Sequence, residues 1–323
     1  MKKLLVALAI AALAGAPAAQ AQTYPSRPVT LIVPYPAGGP SDTLARVLAE
    51  AMRGQLGQPV IVENVSGAGG SIGTGRVANS APDGYTLSLG HVQTHVLNGA
   101  TQNLNYDVVK DFEPVTLIAD TPQWVVARAA FPANDLKEMV AWMKANPGKA
   151  TAGTVGVGGP TDIAGLYFQR HTGTSFQFVP YRGGAPLIQD LLSGQIDLTF
   201  GQAANYLAPV RNGLLKPYAV LANKRWWAAP QVPTIQEAGG PELVSTFWHG
   251  LWVAKGTPKD IVAKLNTAVS QALDDPGLKK RFTDIGQEIW PRDKQNPAAL
   301  AAQQQAEIER WWPIIKAAGI KAQ

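Results

Sequence analysis

The chain has 323 residues, 46% hydrophobic and 16% charged, with 32 glycines, 25 prolines and no cysteine. That length exceeds one average domain and the composition is globular, so two domains are expected. The missing cysteines exclude disulfides, thiolate chemistry and a lipid-anchoring cysteine. A net charge of +5 without any run of Lys or Arg excludes the electrostatic footprint of a nucleic-acid binder and only weakly favours anionic small molecules.

The first element is a basic n-region, Lys2-Lys3, followed by the apolar run LLVALAIAALAGA and an Ala19-Gln20-Ala21 cleavage site. This order reads as a secretory signal peptide, cleaved after Ala21 so that the mature chain starts at Gln22. Cleavage lowers the net charge by the two lysines, from +5 to +3. An exported chain without cysteine fits the bacterial periplasm. No later segment is long and apolar enough to span a bilayer.

Short apolar runs then alternate with helical patterns, the signature of α/β units and largely parallel sheets. Strands are expected at 29–35, 59–64, 85–90, 124–129, 149–154, 176–181, 196–201 and 216–222. Leu44, Val47, Leu48 and Met52 share one face of a first helix that Gly57 stops. Asp135 caps a second, with Leu136, Met139, Val140 and Met143 inward. Thr257-Pro258 opens a third, with Ile261, Leu265, Val269 and Leu273 at helical spacing, and Asn296-Pro297 opens the last. No internal repeat or low-complexity tract stands out. Crossings between two domains are expected near Ala119–Gln123 and Leu221–Arg225, which makes the middle third one domain and joins the outer thirds into the other.

Four strand-to-helix turns are rich in small residues: YPAGGPSDTLAR (35–46), ENVSGAGGSIG (63–73), TVGVGGPTDIAG (154–165) and VPYRGGAPL (179–187). Each puts unpaired N–H groups and the positive end of a helix dipole where a strand ends. Glycine lets ligand oxygens come close to that backbone, so such turns hold carboxylate or phosphate without arginine. In α/β sheets this edge is where ligands sit. One such turn alone is ordinary loop geometry; several in one exported chain point to an anion cradle.

Other chemistries fit less well. GAGGSIG is out of register for G-x-G-x-x-G, and no G-K-[ST] occurs. Gly69-Gly70-Ser71-Ile72-Gly73 matches the nucleophile elbow G-x-S-x-G, but Ser66, Gly67, Ala68 and Gly69 separate Ser71 from the preceding strand. His91 and His95 lack the glutamate of a H-E-x-x-H zinc site, so no metal is expected. His91 directly follows a strand and is placed near the ligand. Asp42 and Asp162 stand in first helical turns, where capping is the plain role; Asp162 is also a candidate ligand contact. Trp248 is a candidate pocket wall, and the other tryptophans of the C-terminal third are read as core.

Three segments carry a family resemblance. Tyr35-Pro36-Ala37-Gly38-Gly39-x-x-Asp42-x-x-Ala45-Arg46 is similar to a first motif, and Val62-Glu63-Asn64-x-x-Gly67-Ala68-Gly69-Gly70-x-x-Gly73 to a second. Val179-Pro180-Tyr181-x-Gly183-Gly184-Ala185-Pro186 with Asp190-Leu191-x-x-Gly194-x-x-Asp197 is similar to a third, and Trp248-x-Gly250-Leu251-x-x-x-x-Gly256-Thr257-Pro258 continues the match. The chain resembles the Bug/TctC family, periplasmic receptors of tripartite tricarboxylate transporters. The resemblance implies a two-lobe α/β periplasmic binding protein, a type II Venus flytrap with two crossing strands. Lobe 1 would comprise residues 22–122 and 224–323, and lobe 2 residues 123–223. It implies a non-enzymatic, cofactor-free monomer that binds a small carboxylate and delivers it to membrane permease subunits. Carried over, it places Tyr35, Ala37, Gly38, Gly39, Ser41, Asp42, Ser66, Ala68, Gly69, Gly70 and Ser71 on the first lobe's site. Thr154, Gly159, Thr161, Asp162 and Gln202 complete the site from the second. Two departures stand out: His249 inside the W-x-G motif, and Asp162 where a neutral group or His is expected. An acid there favours a ligand with one carboxylate and a donor or cationic nitrogen over a plain di- or tricarboxylate. The alternatives are an exported hydrolase using Ser71 and a ligand sensor for a membrane kinase.

Overall fold

The computed structural model describes residues 23–321; the expected signal peptide and its cleavage site lie outside the described residues. Eleven strands form two sheets. The first, six-stranded, contains β1 (Val29–Val33), β2 (Val60–Asn64), β3 (Thr86–His91), β4 (Phe112–Asp120), β10 (His249–Ala254) and β11 (Glu288–Ile289), in the order β11-β4-β10-β3-β1-β2. The second contains β5 (Gln123–Arg128), β6 (Thr151–Val155), β7 (Gln177–Tyr181), β8 (Leu198–Gln202) and β9 (Leu215–Val220), in the order β7-β6-β8-β5-β9. Helices α1 (Pro40–Leu56), α2 (Ser71–Ala78) and the one-turn α3 (Asn98–Thr101) join the early strands, and α4 (Leu136–Ala145), α5 (Pro160–Thr172), α6 (Gly184–Ser193) and α7 (Ala203–Arg211) belong to the second sheet. The C-terminal third adds α8 (Lys259–Asp274), α9 (Pro276–Asp284) and the 22-residue α10 (Pro297–Ala318).

Strand alternation builds the layers. In β1, Val29, Leu31 and Val33 pack with Leu44, Leu48 and Met52 of α1 and Leu265, Val269 and Leu273 of α8, while Ile32 faces the opposite layer with Trp252, Leu300 and Trp311. In β5, Trp124 and Val126 pack with Leu187 and Leu191 of α6, whereas Val125 and Ala127 face Phe131, Met139 and Phe168. The expected helix ends hold: Gly57 takes φ 68° after α1, and Asp135 and Asn296 accept from Glu138 N and Ala299 N. Among the described residues no helix is long and apolar enough to cross a membrane.

Two expectations need correction. The sheets are mixed rather than largely parallel. β1, β2 and β3 run parallel, as do β6, β7 and β8, but β10 is antiparallel to β3 and β4, and β5 is antiparallel to β8 and β9. The chain returns from one sheet to the other, and the returning strands insert head to tail. Second, the polypeptide does not leave the five-stranded sheet near Leu221–Arg225. Ile235 N donates to Val220 O (2.8 Å), and Trp226, Ala228, Ala229 and Val232 pack with Trp124 and Val126. The apolar Trp226 and Val232 are buried only by staying on that sheet. The passages are Thr121–Pro122 and Ser245–Trp248, tied by Thr121 N to Phe247 O (3.2 Å), Phe247 N to Thr121 O (2.8 Å) and Gln123 N to Ser245 O (3.0 Å).

Candidate functional site

The turn after β1 is held open by one carboxylate. Asp42, 3% exposed, accepts from Gly38 N (2.8 Å), from Arg46 Nε (2.9 Å) and from Asn64 Nδ2 (2.9 Å). Asn64 Nδ2 also reaches Tyr35 O (3.0 Å). Burial pushes the Asp42 carboxyl up, but these hydrogen bonds outweigh it and hold the group below the ordinary carboxylate range. Gly38 sits at φ +81°, a conformation glycine adopts without strain, and Gly39 is the N-cap at φ −80°, ψ 171°. Asp42 thus braces the turn, leaving the helix N-terminus free to face a ligand.

The turn after β6 repeats this design. Gly158-Gly159-Pro160-Thr161-Asp162 matches Gly38-Gly39-Pro40-Ser41-Asp42 residue for residue but for Thr in place of Ser. Gly158 takes φ +72°, Gly159 caps α5 at φ −80°, ψ 172°, and Gly158 N donates to Asp162 Oδ2 (2.8 Å). The absence of an internal repeat therefore needs correction: a five-residue turn recurs once per sheet, identical at four positions and with the same glycine backbone. The braces differ. Leu166 replaces Arg46 and no Asn64 counterpart reaches Asp162, so burial dominates and the Asp162 carboxyl is pushed up despite the Gly158 hydrogen bond. Thr161 Oγ1 accepts from Val155 N (2.8 Å), locking the strand end to the helix. Thr154, next to last in β6, and Gln202, last in the parallel β8, stand at the same end of the sheet; the Gln202 Nε2 is buried without a hydrogen-bond partner.

The second turn of the first sheet, Ser66 to Ser71, passes through Ala68 at φ 45° and Gly69 and Gly70 at φ 60° and 89°. Side chains from the segment after β3 line it. That segment is a π-helical turn, Gln93–Leu97, running into α3. Asn98 Nδ2 donates to Gly69 O (3.0 Å) and Gln102 Nε2 to Ala68 O (3.1 Å). A Cβ added to Gly69 would lie 2.8 Å from Gln93 Nε2, and one on Gly70 would lie 2.7 Å from Thr94 Cγ2 and 3.2 Å from the Tyr35 hydroxyl. Both glycines hold positive φ, the conformation that favours glycine. The two lobes meet here: a Cβ on Gly159 would lie 3.6 Å from Gln93 Nε2, and one on Gly158 would lie 2.8 Å from Thr101 Cγ2. Gln93 and Thr101 had no motif to mark them; the only signal was their place after the strand that ends in His91.

Three histidines underlie the site. The His91 ring stacks on Tyr35 (4.8 Å, 10°) and its Nδ1 accepts from Gln93 N (3.1 Å). His249 lies opposite His91 across β3 and β10, with its Nε2 3.2 Å from Ser41 Oγ and its Nδ1 buried without a partner. His95 stacks on Trp252 (3.8 Å) and contacts Thr94 Oγ1 (3.0 Å). Burial pushes His95 down to about 3 and His249 to about 4; His91 is also lowered, by burial and by its two histidine neighbours. All three are neutral at neutral pH. Among the described residues no cluster of three His, Cys, Asp or Glu could hold a metal ion.

The structure brings Tyr35, Ser41, Asp42, Ala68, Gly69, Gly70 and His91 into one neighbourhood, and Gly159, Thr161 and Asp162 into a second that touches it through Gln93. Trp248 does not wall an open pocket; it is fully buried beside Trp252 (6.0 Å). None of the histidine hydrogen bonds goes to Ser71, as the hydrolase alternative requires. The one Ser–His contact, Ser41 with His249, lacks a third group to orient the ring. Two open grooves lie elsewhere, one of about 290 Å³ between α1 and α9 and one of about 530 Å³ around Trp227 and Trp290.

The family model described as "Tripartite tricarboxylate transporter family receptor" matches residues 44–320. The chain belongs to this receptor family. Among solved structures it is similar to the periplasmic binding protein BugD, with 38% identity over 93% of this chain and 100% of that one, TM-score 0.83. It is also similar to MatC from Rhodopseudomonas palustris, solved with malate (38% identity, 90% and 100% covered, TM-score 0.83). A third is Rpa4515 of R. palustris, solved with adipate (32% identity, 92% and 99% covered, TM-score 0.84). The fold is thus the two-lobe α/β fold of Bug/TctC receptors, and the chain is a periplasmic solute-binding receptor of a tripartite transporter.

Proposed function

We propose that this receptor captures a small carboxylate between its two Gly-Gly-Pro-[Ser/Thr]-Asp turns and hands it, as a monomer, to the permease subunits of its transporter. One observation carries the reading: both turns present helix N-termini and glycine backbone, and Gln93 lies between the 66–71 turn of the first sheet and the Gly156–Gly159 turn of the second. The MatC and Rpa4515 structures with malate and adipate support a carboxylate ligand. Tyr35, Ala37, Gly38, Gly39, Ser41 and the 66–71 turn are assigned to one end of the ligand. Gly159, Thr161, Asp162, Thr154 and Gln202 are assigned to the other. Asp162, tied only by the Gly158 N–H, favours a second end that carries a donor: a hydroxyl, an amine or a protonated pyridine nitrogen. Export follows from a signal peptide cleaved after Ala21. Lobe 2 then runs from about residue 122 to 245, with the remainder as lobe 1 and the Thr121 and Phe247 segments as the hinge.

The test is a thermal-shift screen of residues 22–323 against malate, adipate, citrate, acidic amino acids, benzoate, phthalate and pyridine carboxylates. A ligand at 100 times its Kd adds about 2.7 kcal/mol. A clear shift with one class supports the reading and ranks the role of Asp162. No shift with any acid overturns the carboxylate assignment.

A further inference from the structure

Three side-chain amides converge on the 68–70 turn, and two are already used. Asn98 Nδ2 holds Gly69 O and Gln102 Nε2 holds Ala68 O. Gln93 is different. It is 7% exposed, its N–H is taken by His91 Nδ1 (3.1 Å), and its Oε1 faces the Tyr35 hydroxyl (3.5 Å). Tyr35 is itself held flat against His91. In this arrangement Oε1 faces Tyr35 and Nε2 points away from it. Among the described residues Nε2 makes no hydrogen bond, yet it lies between Gly69 on one lobe and Gly156 and Gly159 on the other, 2.8, 4.0 and 3.6 Å from the Cβ each would carry. Gln93 sits on a π-helical turn, a backbone irregularity often found at functional sites.

The geometry points to Gln93 as a ligand-binding and closure residue: its Nε2 donates to an acceptor oxygen of the bound molecule at the place where the glycine turns of the two lobes meet. The inference rests on the carboxylate reading above and adds its specificity element. The amide donor left unused at that spot is Gln93 Nε2, so the group it receives is an acceptor, a carboxylate oxygen rather than an amine. The donor-bearing end of the ligand therefore lies towards Asp162. Because Gln93 belongs to lobe 1 and touches lobe 2, ligand contact at Nε2 is made in full only when the cleft is shut.

The experiment is calorimetric titration of the wild type, Gln93→Leu and Gln93→Glu with malate, adipate and then the remaining acids of the panel. Gln93→Leu keeps the bulk and removes the donor; Gln93→Glu puts a negative charge against the ligand. The expected result is at least tenfold weaker binding for Gln93→Leu and no measurable binding for Gln93→Glu, with the ligand-free melting temperature of Gln93→Leu unchanged or raised. Gln93→Asn, which keeps the amide but shortens its reach, separates donor loss from misfolding and falls between wild type and Gln93→Leu. Wild-type affinity in Gln93→Leu overturns the assignment of Gln93 and leaves the carboxylate reading standing. A wild type that takes up none of the acids overturns the carboxylate reading itself, and this inference with it.

Discussion

Asp42 and Asp162 occupy equivalent places and carry opposite energetics. Asp42 is braced by Gly38, Arg46 and Asn64; Asp162 has the Gly158 N–H alone. Asn at either position still accepts from the glycine N–H, so the pair of variants isolates the charge. Asp42→Asn loses the charge-assisted bond from Arg46 and is expected to cost about 1–3 kcal/mol at pH 7. The lowered Asp42 carboxyl stabilises the fold above the ordinary carboxylate range and loses that contribution as pH falls through it, so this cost shrinks in acid. Asp162 has the opposite sign: its raised carboxyl favours the fold below the ordinary range and loses that contribution as pH rises. Asp162→Asn is therefore expected to raise the ligand-free stability at pH 7–8 and to have no effect near pH 4. Urea melts of both variants at three pH values check this; a loss of stability in Asp162→Asn at pH 8 would refute the assignment.

The turns are elements whose glycines do different work. Gly38 and Gly158 both take positive φ, but a Cβ on Gly38 meets nothing within 4 Å, whereas one on Gly158 runs into Thr101 of the facing lobe. Alanine at either position costs on the order of 1 kcal/mol of backbone strain. Gly158→Ala is expected to add a clash that exists only when the lobes are shut, so it weakens ligand binding far more than Gly38→Ala at similar thermal stability. Equal affinities would contradict contact between this turn and Thr101 in the bound form. These elements were readable in the sequence because strand-Gly-Gly-Pro-helix is local chemistry. The expected strands and helix caps came within a few residues for the same reason. β4 and β10 were not read: β4 is interrupted by Pro114, and the stretch WHGLWVA carries His249 and Gly250 in place of an alternating pattern. Gln93 was invisible, since its meaning comes from Gly69 and Gly159, 24 residues before it and 66 after it. The second passage between sheets was misplaced because Trp226 and Val232 look like any apolar pair until the surface that buries them is known.

At the scale of the whole molecule, the hinge of the proposed receptor falls at the passages between sheets. Asp120 ends β4 at the first passage, opposite Glu288 of β11, and Lys224 Nζ bonds Glu288 (2.6 Å). Burial, with Glu288 adding to it and Lys224 opposing, pushes Asp120 up to about 7. A raised carboxyl favours the fold fully below its ordinary value and loses that contribution as pH rises through 7. Asp120→Asn is expected to be more stable than wild type at pH 8, with the difference gone by about pH 4, as chemical melts would report. The neutral, buried histidines pull the other way: their contribution is complete above about 6.5 and fades as pH falls towards the lowered values.

The unequal bracing of the two turns gives the receptor a direction in time. A turn tied by a buried carboxylate, an arginine and an asparagine is ready before the ligand arrives, while in its twin the carboxylate has one tie, and on the proposed reading the ligand supplies the next. Arrival is then governed by the first turn and residence by the second. Substitutions around Tyr35–Arg46 alter how fast the ligand is caught, and those around Gly156–Asp162 how long it is kept before the transporter collects it.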